Sequence, residues 1–311
     1  MAIPISTVAE PKALSWVKIL RLQFYPMTWL AYTLGALGAA SVTGHWNASA
    51  FWLGYTVPFL LEAATVLTNE LFDLDSDRRN QAHGPFNGGS RVLVRGGLNR
   101  REVIRGAFIC VGAALLVCAL LISWLNLGPA LPLLFAAMLA LGPGYTTPPL
   151  KLAWRGHGEW DVALTHSLAA VLWGYLIQDA PWNHPFPWLA GLPMFMAIMP
   201  AILLAGMPDL EADQAAGKRT LVVRLGRRHA AGLALVLTLV APLSAYLLEG
   251  RPALHGALDG LAIWSAPHAA LLAYLLYRYW RAPRAGRIDG LLVVSLVYIL
   301  WFAVFPVLRL L

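Results

Sequence analysis

The chain has 311 residues, of which 59% are hydrophobic and 13% are charged. This is more apolar surface than a water-soluble domain of that length can bury, so the composition predicts a protein that lies in a lipid bilayer. The net charge of +7 does not indicate nucleic-acid binding, because the basic residues lie in short loops between apolar segments and form no continuous basic face.

The segment before the first apolar stretch, Met1 to Ser15, has no short hydrophobic core followed by a small-residue cleavage site. We therefore expect no secretory signal or long transit peptide there. Beyond it, apolar runs of the length that a helix needs to cross the hydrocarbon core recur along the chain. Their limits are 17–40, 51–70, 103–125, 129–146, 161–179, 187–208, 229–248, 257–279 and 288–309. The sequence thus predicts an all-α protein, one domain over residues 1–311 with nine transmembrane helices.

The loops between these runs differ in charge. When they are assigned alternately to the two sides of the membrane, every Lys and Arg except Arg251 and Arg309 falls on one side. Cytoplasmic loops carry an excess of Lys and Arg, so the N-terminus is predicted to be cytoplasmic and the C-terminus to lie outside. We expect an integral protein of the bacterial inner membrane, with its active-site loops in the cytoplasm.

The second run carries an acidic motif at its end. Asn69, Asp73 and Asp77 are spaced four residues apart, so on a helix their side chains project from nearly one face. Such a ridge of carboxylates at a membrane boundary is costly unless a cation neutralises it, and Mg²⁺ with a phosphate-bearing substrate is a natural complement. A solvated acidic helix end is the alternative interpretation. Glu62, two turns deeper on the same side, is either a contact to a second substrate or a buried hydrogen-bonded strut.

A turn follows the fourth run at residues 142–152, where Pro148 and Pro149 end the helix. It places Tyr145 toward a cavity and Lys151 at the level of the lipid headgroups, or it is simply a membrane-interface turn with an aromatic anchor.

The sixth run ends in a second carboxylate pair, Asp209 and Asp213, again four residues apart. Both acidic motifs fall on the same predicted side of the membrane. Two facing carboxylate clusters can hold Mg²⁺ ions that bridge to diphosphate oxygens. Basic side chains near the motifs are candidates for binding the remaining phosphate charge. These candidates are Arg78, Arg79, Arg91, Lys151, Lys218 and Arg219. For any single arginine, positive-inside anchoring is the favoured explanation, and Lys218 and Arg219, about one turn past Asp213, are the better candidates.

The combined motifs resemble those of the UbiA superfamily of intramembrane prenyltransferases. The resemblance rests on Asn-x₃-Asp-x₃-Asp after the second run, Asp-x₃-Asp after the sixth, and Gly-Lys-Arg-Thr-Leu at 217–221 with Arg-Leu-Gly at 224–226. The Tyr-Thr-Thr-Pro-Pro-Leu-Lys-Leu turn at 145–152 is similar to that of chlorophyll-synthase-like members. Gly-Gly-Ser-Arg at 88–91 looks more like quinone-pathway members, so the subfamily stays open.

The resemblance implies a helix bundle around a central cavity that two acidic loops cap. It implies Mg²⁺ as cofactor, and an isoprenyl diphosphate and a lipophilic, phenol- or quinone-type acceptor as substrates. The implied metal ligands are Asn69, Asp73, Asp77, Asp209 and Asp213. Apart from the resemblance, their positions make Arg78, Arg91, Lys151, Lys218 and Arg219 candidates for diphosphate binding. The candidate catalytic residues are Asp73, Asp209, Tyr145 and Lys151, and the depth of Glu62 in the membrane makes it a candidate acceptor contact.

Two other functions share some of these features. A terpene cyclase would ionise the same diphosphate without an acceptor. A transporter would place its carboxylates near the middle of the membrane as coupling sites, whereas here they lie at the ends of the runs beside basic loops. The sequence therefore favours a prenyltransferase over a transporter and leaves the cyclase open.

Overall fold

The computed structural model of the protein describes residues 11–125 and 128–311. Most of the Met1–Ser15 segment, in which no signal is expected, lies outside these residues. Within the described ranges the ordered elements are helices, and no strand is present. The all-α fold predicted from the sequence is therefore confirmed.

Thirteen α-helices, some short, make up the described part of the chain. Their bounds are α1 Lys12–Leu20, α2 Tyr25–Thr43, α3 Ala48–Phe72, α4 Leu74–Arg79, α5 Arg100–Leu125, α6 Ala130–Gly144, α7 Gly158–Leu164, α8 Ala170–Ile177, α9 Phe186–Gly206, α10 Leu210–Ala215, α11 Leu221–Leu248, α12 Leu261–Arg281 and α13 Asp289–Leu310. A single π turn at Thr165–Ala169 joins α7 to α8, so these two form one rod.

Six helical segments of the described chain are long and apolar enough to cross a membrane. They are α3, α5, the α7–α8 rod, α9, α11 and α13. Helices α2 and α12 have the length but are less apolar, and α6 has only 15 residues. All three coincide with predicted spans, yet the count of nine, and with it the placement of the termini, stays a prediction.

Helices α2 and α8 are in close contact because both carry a glycine at the crossing point. A Cβ atom at Gly35 would lie 1.8 Å from the Val171 carbonyl oxygen, and one at Gly174 would lie 2.0 Å from the Tyr32 carbonyl oxygen. Small residues allow this backbone approach, which is common where helices pack inside a membrane.

The buried side chains form three apolar clusters. The largest joins α2, α9, α11, α12 and α13, the second joins α2, α3, α5, α6 and α8, and the third packs α1, α3 and α5 against residues 92–98. The connections that carry the two acidic motifs meet at one end of the bundle, where the Asn80 side-chain nitrogen lies 2.6 Å from an Asp209 carboxylate oxygen. This meeting point is where functional groups converge.

Candidate active site

Two adjoining cavities lie at this end of the bundle. The outer one, with a volume of about 140 Å³, is lined by the acidic motifs and their polar partners. The inner one, about 480 Å³, is mainly apolar and extends between α2, α3, α9 and α13. Both are lined by Arg21, Asn69 and Tyr145. A polar compartment therefore opens directly into an apolar one.

The three residues of the first acidic motif stay on one side although helix α3 ends within the motif. Helix α3 ends at Phe72, and Asp73 leads into α4 with its backbone nitrogen still bonded to the Asn69 carbonyl oxygen at 2.8 Å. Asn69, Asp73 and Asp77 all line the outer cavity, as the spacing predicted. Asp75 is exposed on the other side of α4. Asp75, although it lies between two residues of the motif, is thus separated from the cavity.

The second motif joins the first through a network of amide groups. Asp209 precedes α10 and accepts hydrogen bonds from the side chains of Asn80 at 2.6 Å and Asn87 at 2.7 Å, and from the Gly88 backbone at 3.3 Å. Asp213 lies one turn further on α10 and lines the same cavity. The predicted convergence of the two motifs is present in the structure.

Lys218 lies between the two motifs. Its ammonium nitrogen is 2.9 Å from an Asp73 oxygen and 3.1 Å from an Asp213 oxygen, and its side chain is only 6% exposed. The Trp154 ring, whose Nε1 donates to Asp73 at 3.2 Å, covers the ammonium group at 5.6 Å from its centroid. One buried cation thus neutralises a carboxylate from each motif.

Burial, and after it the crowding of carboxylates, raises the pKa of acidic groups in the site. Burial raises the pKa of Asp77 to about 8, and the charge of Asp73 acts in the same direction. Burial also raises the pKa of Asp213 to about 6, against the opposing effect of Lys218. Burial lowers the pKa of Lys218, but the Asp73 and Asp213 charges outweigh it, so that pKa lies above its ordinary value. The site therefore has an excess of acceptor oxygens that favours binding of further positive charge.

The donor set suits a hard divalent cation, although no His, Cys, Asp or Glu residues among those described form a group of three around a single ion position. Mg²⁺ needs no such cage, because it usually takes one or two carboxylates and completes its shell with water and substrate phosphates. The side-chain oxygens around the outer cavity meet that requirement. They belong to Asn69, Asp73, Asp77, Asp209 and Asp213.

The predicted diphosphate-binding cations are not all brought to the cavity. Lys218 lines it, whereas Arg78 is exposed and lies 3.8 Å from Asp75. Arg91 points its guanidinium at the Asp77 backbone oxygen and does not line either cavity. Arg79 and Arg219 are exposed and line neither cavity.

The turn after α6 places one of its two predicted site residues at the cavities and the other away from them. Tyr145 lines both cavities, at the boundary between them. Lys151, in a left-handed backbone conformation with φ 46°, instead places its ammonium group 5.1 Å from the centroid of the Trp154 ring. Lys151 therefore contacts a residue that itself contacts Asp73, and lies outside the lining of both cavities.

Several residues that line the cavities or contact the acidic motifs were missed by the sequence analysis. Arg21 lines both cavities from the end of α1, with its guanidinium 3.4 Å from the Phe86 carbonyl oxygen. Its only signal was its position among the cations that open the first run. Asn80, Asn87 and Trp154 had no spacing signal, because they reach the acidic motifs through irregular connections.

Glu62 lies on the wall of the inner cavity. Its side chain is 8% exposed, and one of its oxygens is 3.8 Å from the His166 Nε2 nitrogen of the π turn. The sequence predicted its depth in the bundle but gave no indication of the histidine beside it.

Comparisons with known proteins agree on one family. The model of the UbiA prenyltransferase family matches residues 25–296. The 2-carboxy-1,4-naphthoquinone phytyltransferase of Synechocystis is 29% identical over 223 residues, covering 68% of this chain and 66% of the relative. The 1,4-dihydroxy-2-naphthoate octaprenyltransferase of Bacillus subtilis is 26% identical over 177 residues, covering 56% and 54%. The chain thus spans less than two thirds of the length of these relatives.

A solved structure shares the fold. A UbiA homologue from Archaeoglobus fulgidus, bound to DMAPP and Mg²⁺, superposes with a TM-score of 0.64 at 17% identity, covering 94% of this chain and 99% of that one. At this identity the likeness concerns the fold alone. Because the family model covers most of the sequence and the apolar helices fit a bilayer, the chain is an integral membrane protein of the UbiA prenyltransferase family.

Proposed function

We propose that the protein transfers an isoprenyl group from an isoprenyl diphosphate to a lipophilic aromatic acceptor, of the phenol or quinone type, inside the membrane. The observation that carries this proposal is the direct opening of the carboxylate-lined outer cavity into the apolar inner one. A diphosphate headgroup suits the first and an isoprenyl chain the second. The names of the two relatives, both prenyl-group transferases acting on naphthalene-type acceptors, support the same class of reaction.

The metal would be Mg²⁺, held by oxygens of Asp73 and Asp77 from the first motif and of Asp209 and Asp213 from the second, with Asn69 as a further ligand. When bound, Mg²⁺ supplies charge neutralisation and Lewis-acid activation of the departing diphosphate. The A. fulgidus homologue, which binds DMAPP and Mg²⁺, supports this assignment.

Basic side chains would bind the negative charge of the diphosphate that the metal does not neutralise. Lys218 is already in the cavity, and exchanging one carboxylate contact for a phosphate oxygen would keep it paired. Arg21 lines the outer cavity as well as the inner one, so it can contact the diphosphate at the boundary between them. Both would stabilise negative charge that develops on the leaving group.

Tyr145 would stabilise the carbocation that forms when the carbon–oxygen bond of the isoprenyl diphosphate breaks. Its ring lines both cavities, so it lies where the first carbon of the isoprenyl chain would be placed. The face of an aromatic ring stabilises nearby positive charge, which here is the allylic cation left when the carbon–oxygen bond ionises. We further propose that Lys151 holds the Trp154 ring against Asp73 rather than contacting phosphate.

The orientation in the bacterial inner membrane, with the polar cavity facing the cytoplasm, is also a proposal. It rests on the segregation of Lys and Arg toward the loops that carry the acidic motifs.

A terpene cyclase is the competing function, and one experiment separates the two. Purified protein is incubated with C10, C15 or C20 isoprenyl diphosphates and Mg²⁺, with and without 1,4-dihydroxy-2-naphthoate or a simple phenol, and products are identified by mass spectrometry. We expect acceptor-dependent product and diphosphate release, both lost in excess chelator and restored by added Mg²⁺. Cyclic hydrocarbon or alcohol formed without acceptor would establish the cyclase, and full activity in chelator would exclude the metal.

A further inference from the structure

The inner cavity contains acidic and imidazole groups in a mainly apolar wall. Among the residues described, its Asp, Glu and His side chains belong to Glu62, Asp161 and His166. Glu62 comes from α3, whereas the other two come from α7 and the π turn that follows it. π turns are rare and occur often at functional sites. The pair formed by Glu62 and His166 faces the space where the proposed acceptor must bind.

Glu62 has unused hydrogen-bonding capacity. Its Oε2 atom is buried and has no hydrogen-bond partner among the described residues, and its Oε1 atom lies 3.8 Å from His166 Nε2. That separation is too long for a direct hydrogen bond. A carboxylate that served only as a structural strut would be expected to have its oxygens bonded, because leaving one buried and unpaired is costly.

The tautomer of His166 follows from its other nitrogen. Nδ1 lies 3.0 Å from the Val162 backbone oxygen and 3.1 Å from the Thr165 hydroxyl oxygen, and that hydroxyl donates its own hydrogen to the Asp161 backbone oxygen at 2.7 Å. A backbone carbonyl can only accept, so Nδ1 carries a hydrogen. In the neutral ring, Nε2 is then a hydrogen-bond acceptor that faces the Glu62 carboxylate.

Two acceptors that face each other in an apolar wall need a proton or a donor between them. A ring hydroxyl supplies both, since it can donate to one of them and then give up its proton. We propose that Glu62 and His166 together bind the hydroxyl group of the aromatic acceptor and take up its proton during transfer. This inference rests on the proposed function and identifies where that function places its second substrate.

The position of the pair along α3 suits this role. Glu62 is seven residues before Asn69, which is roughly 10 Å along the helix axis. Asn69 lines the diphosphate compartment and Glu62 lines only the inner cavity. An aromatic ring with its hydroxyl at Glu62 would therefore reach toward the first isoprenyl carbon below the diphosphate.

The step balances as follows. The bond between the first isoprenyl carbon and its oxygen breaks, and its electron pair leaves with diphosphate. A ring carbon next to the hydroxyl-bearing one forms the new carbon–carbon bond with ring electrons, while the hydroxyl proton passes to the Glu62–His166 pair. The hydrogen on the attacked carbon then moves to the ring oxygen, which restores the aromatic ring.

The test compares Glu62→Gln, His166→Gln and the double variant with wild type, and uses Glu249→Gln, at the opposite end of the bundle, as the matched control. The acceptor is 1,4-dihydroxy-2-naphthoate. We expect each single variant to raise the acceptor KM about 10- to 100-fold, the range for a hydrogen bond to a charged group. We expect kcat to fall about 100-fold or more, the usual contribution of a general base. The affinity for isoprenyl diphosphate should change little, since the compartment of its diphosphate headgroup lies roughly 10 Å away along α3.

Residues that act as a pair give a non-additive double variant, so removing the second member should add little to the first loss. Acceptor affinity is also measured directly by calorimetry, with wild type tested against the dimethyl ether of the same acceptor, which has no hydroxyl hydrogen to donate. We expect the ether to bind at least about 10-fold more weakly.

Any one of three results would overturn the proposal that Glu62 and His166 bind and deprotonate the acceptor hydroxyl. These are equal affinity of wild type for the acceptor and its ether, an unchanged acceptor KM in Glu62→Gln, and strictly multiplicative losses in the double variant. The ether comparison needs no variant and so does not depend on folding. If wild type binds no isoprenyl diphosphate, the proposed function fails, while the calorimetric comparison of acceptor and ether still decides on the pair.

Discussion

The ammonium group of Lys218 lies 2.9 Å from the carboxylate of Asp73, and this contact joins the two acidic motifs at the centre of the site. Removing one partner of a buried ion pair leaves the other charge uncompensated, which costs about 3–5 kcal/mol. We expect Lys218→Met to lower the melting temperature in detergent and to weaken isoprenyl diphosphate binding about 10-fold or more. Thermal unfolding and calorimetric titration measure both. Arg219→Ala, the exposed neighbour, is the control, and equal losses in the two variants would contradict a specific role for Lys218.

Asp73 and Asp75 differ in position although both are acidic residues of the same segment. Asp73 is buried at the outer cavity and Asp75 is exposed. We expect Asp73→Ala to reduce diphosphate release about 100- to 1000-fold, the range seen when one electrostatic stabiliser is removed from an active site. Asp75→Ala should keep nearly full activity. A stopped-time assay of released diphosphate measures both, and similar activity in the two variants would remove Asp73 from the mechanism.

Arg21 and Arg78 test which cation reaches the substrate. Arg21 lines both cavities, whereas Arg78 is exposed beside Asp75. A lost charge-assisted hydrogen bond is worth about 1.5–3 kcal/mol, so we expect Arg21→Ala to raise the KM for isoprenyl diphosphate about 10- to 100-fold. Arg78→Ala should leave it unchanged. The opposite order of effects would favour the assignment made from the sequence.

Ser90 attaches the connection between α4 and α5 to helix α3 through Glu70. The backbone nitrogen and the hydroxyl of Ser90 each donate to a Glu70 carboxylate oxygen at 2.6 Å, and Glu70 is buried. Ser90→Ala leaves one of these oxygens without its partner, at a cost of about 1–3 kcal/mol. We expect a lower melting temperature and faster proteolysis within residues 80–97. Ser123→Ala on α5 is the matched control, and an unchanged cleavage rate in Ser90→Ala would show that this contact does not order the loop.

Gly174 allows α8 to approach α2, and there is no room for a side chain at that position. Overpacking a filled core costs about 1–3 kcal/mol, and here the obstacle is backbone. We expect Gly174→Ala to lower the melting temperature by several degrees. Gly112→Ala, in α5, has nothing within 4 Å of its new Cβ and should be neutral or slightly stabilising. A stable Gly174→Ala protein would mean that the two helices can move apart without loss.

The sequence predicted those features that depend on helical periodicity. The four-residue spacing of Asn69, Asp73 and Asp77 placed them on one face. That face survives the break after Phe72 because the backbone nitrogens of Asp73 and Asp77 still donate to the carbonyl oxygens four residues earlier. The apolar runs likewise predicted an all-helical membrane protein. Periodicity is a local property, so these inferences did not require knowledge of the fold.

Features that depend on irregular backbone were not predictable in the same way. Lys151 and Arg91 both adopt positive φ angles, and neither lines a cavity. Arg21 reaches the site because α1 ends beside residue 86, which no spacing in the sequence encodes. Charge and proximity in sequence selected six cations, and packing brings only one of them into the outer cavity.

The amide network around Asp209 constrains how the polar end of the protein can move. Asn80, Asn87 and Gly88 belong to the connection after α4, and all three donate to a carboxylate that belongs to the connection before α10. Neither connection can swing outward without breaking bonds to the other. Under the proposed function, entry of the diphosphate headgroup from water and escape of the released diphosphate should therefore require both segments to open together, as a single cooperative gate.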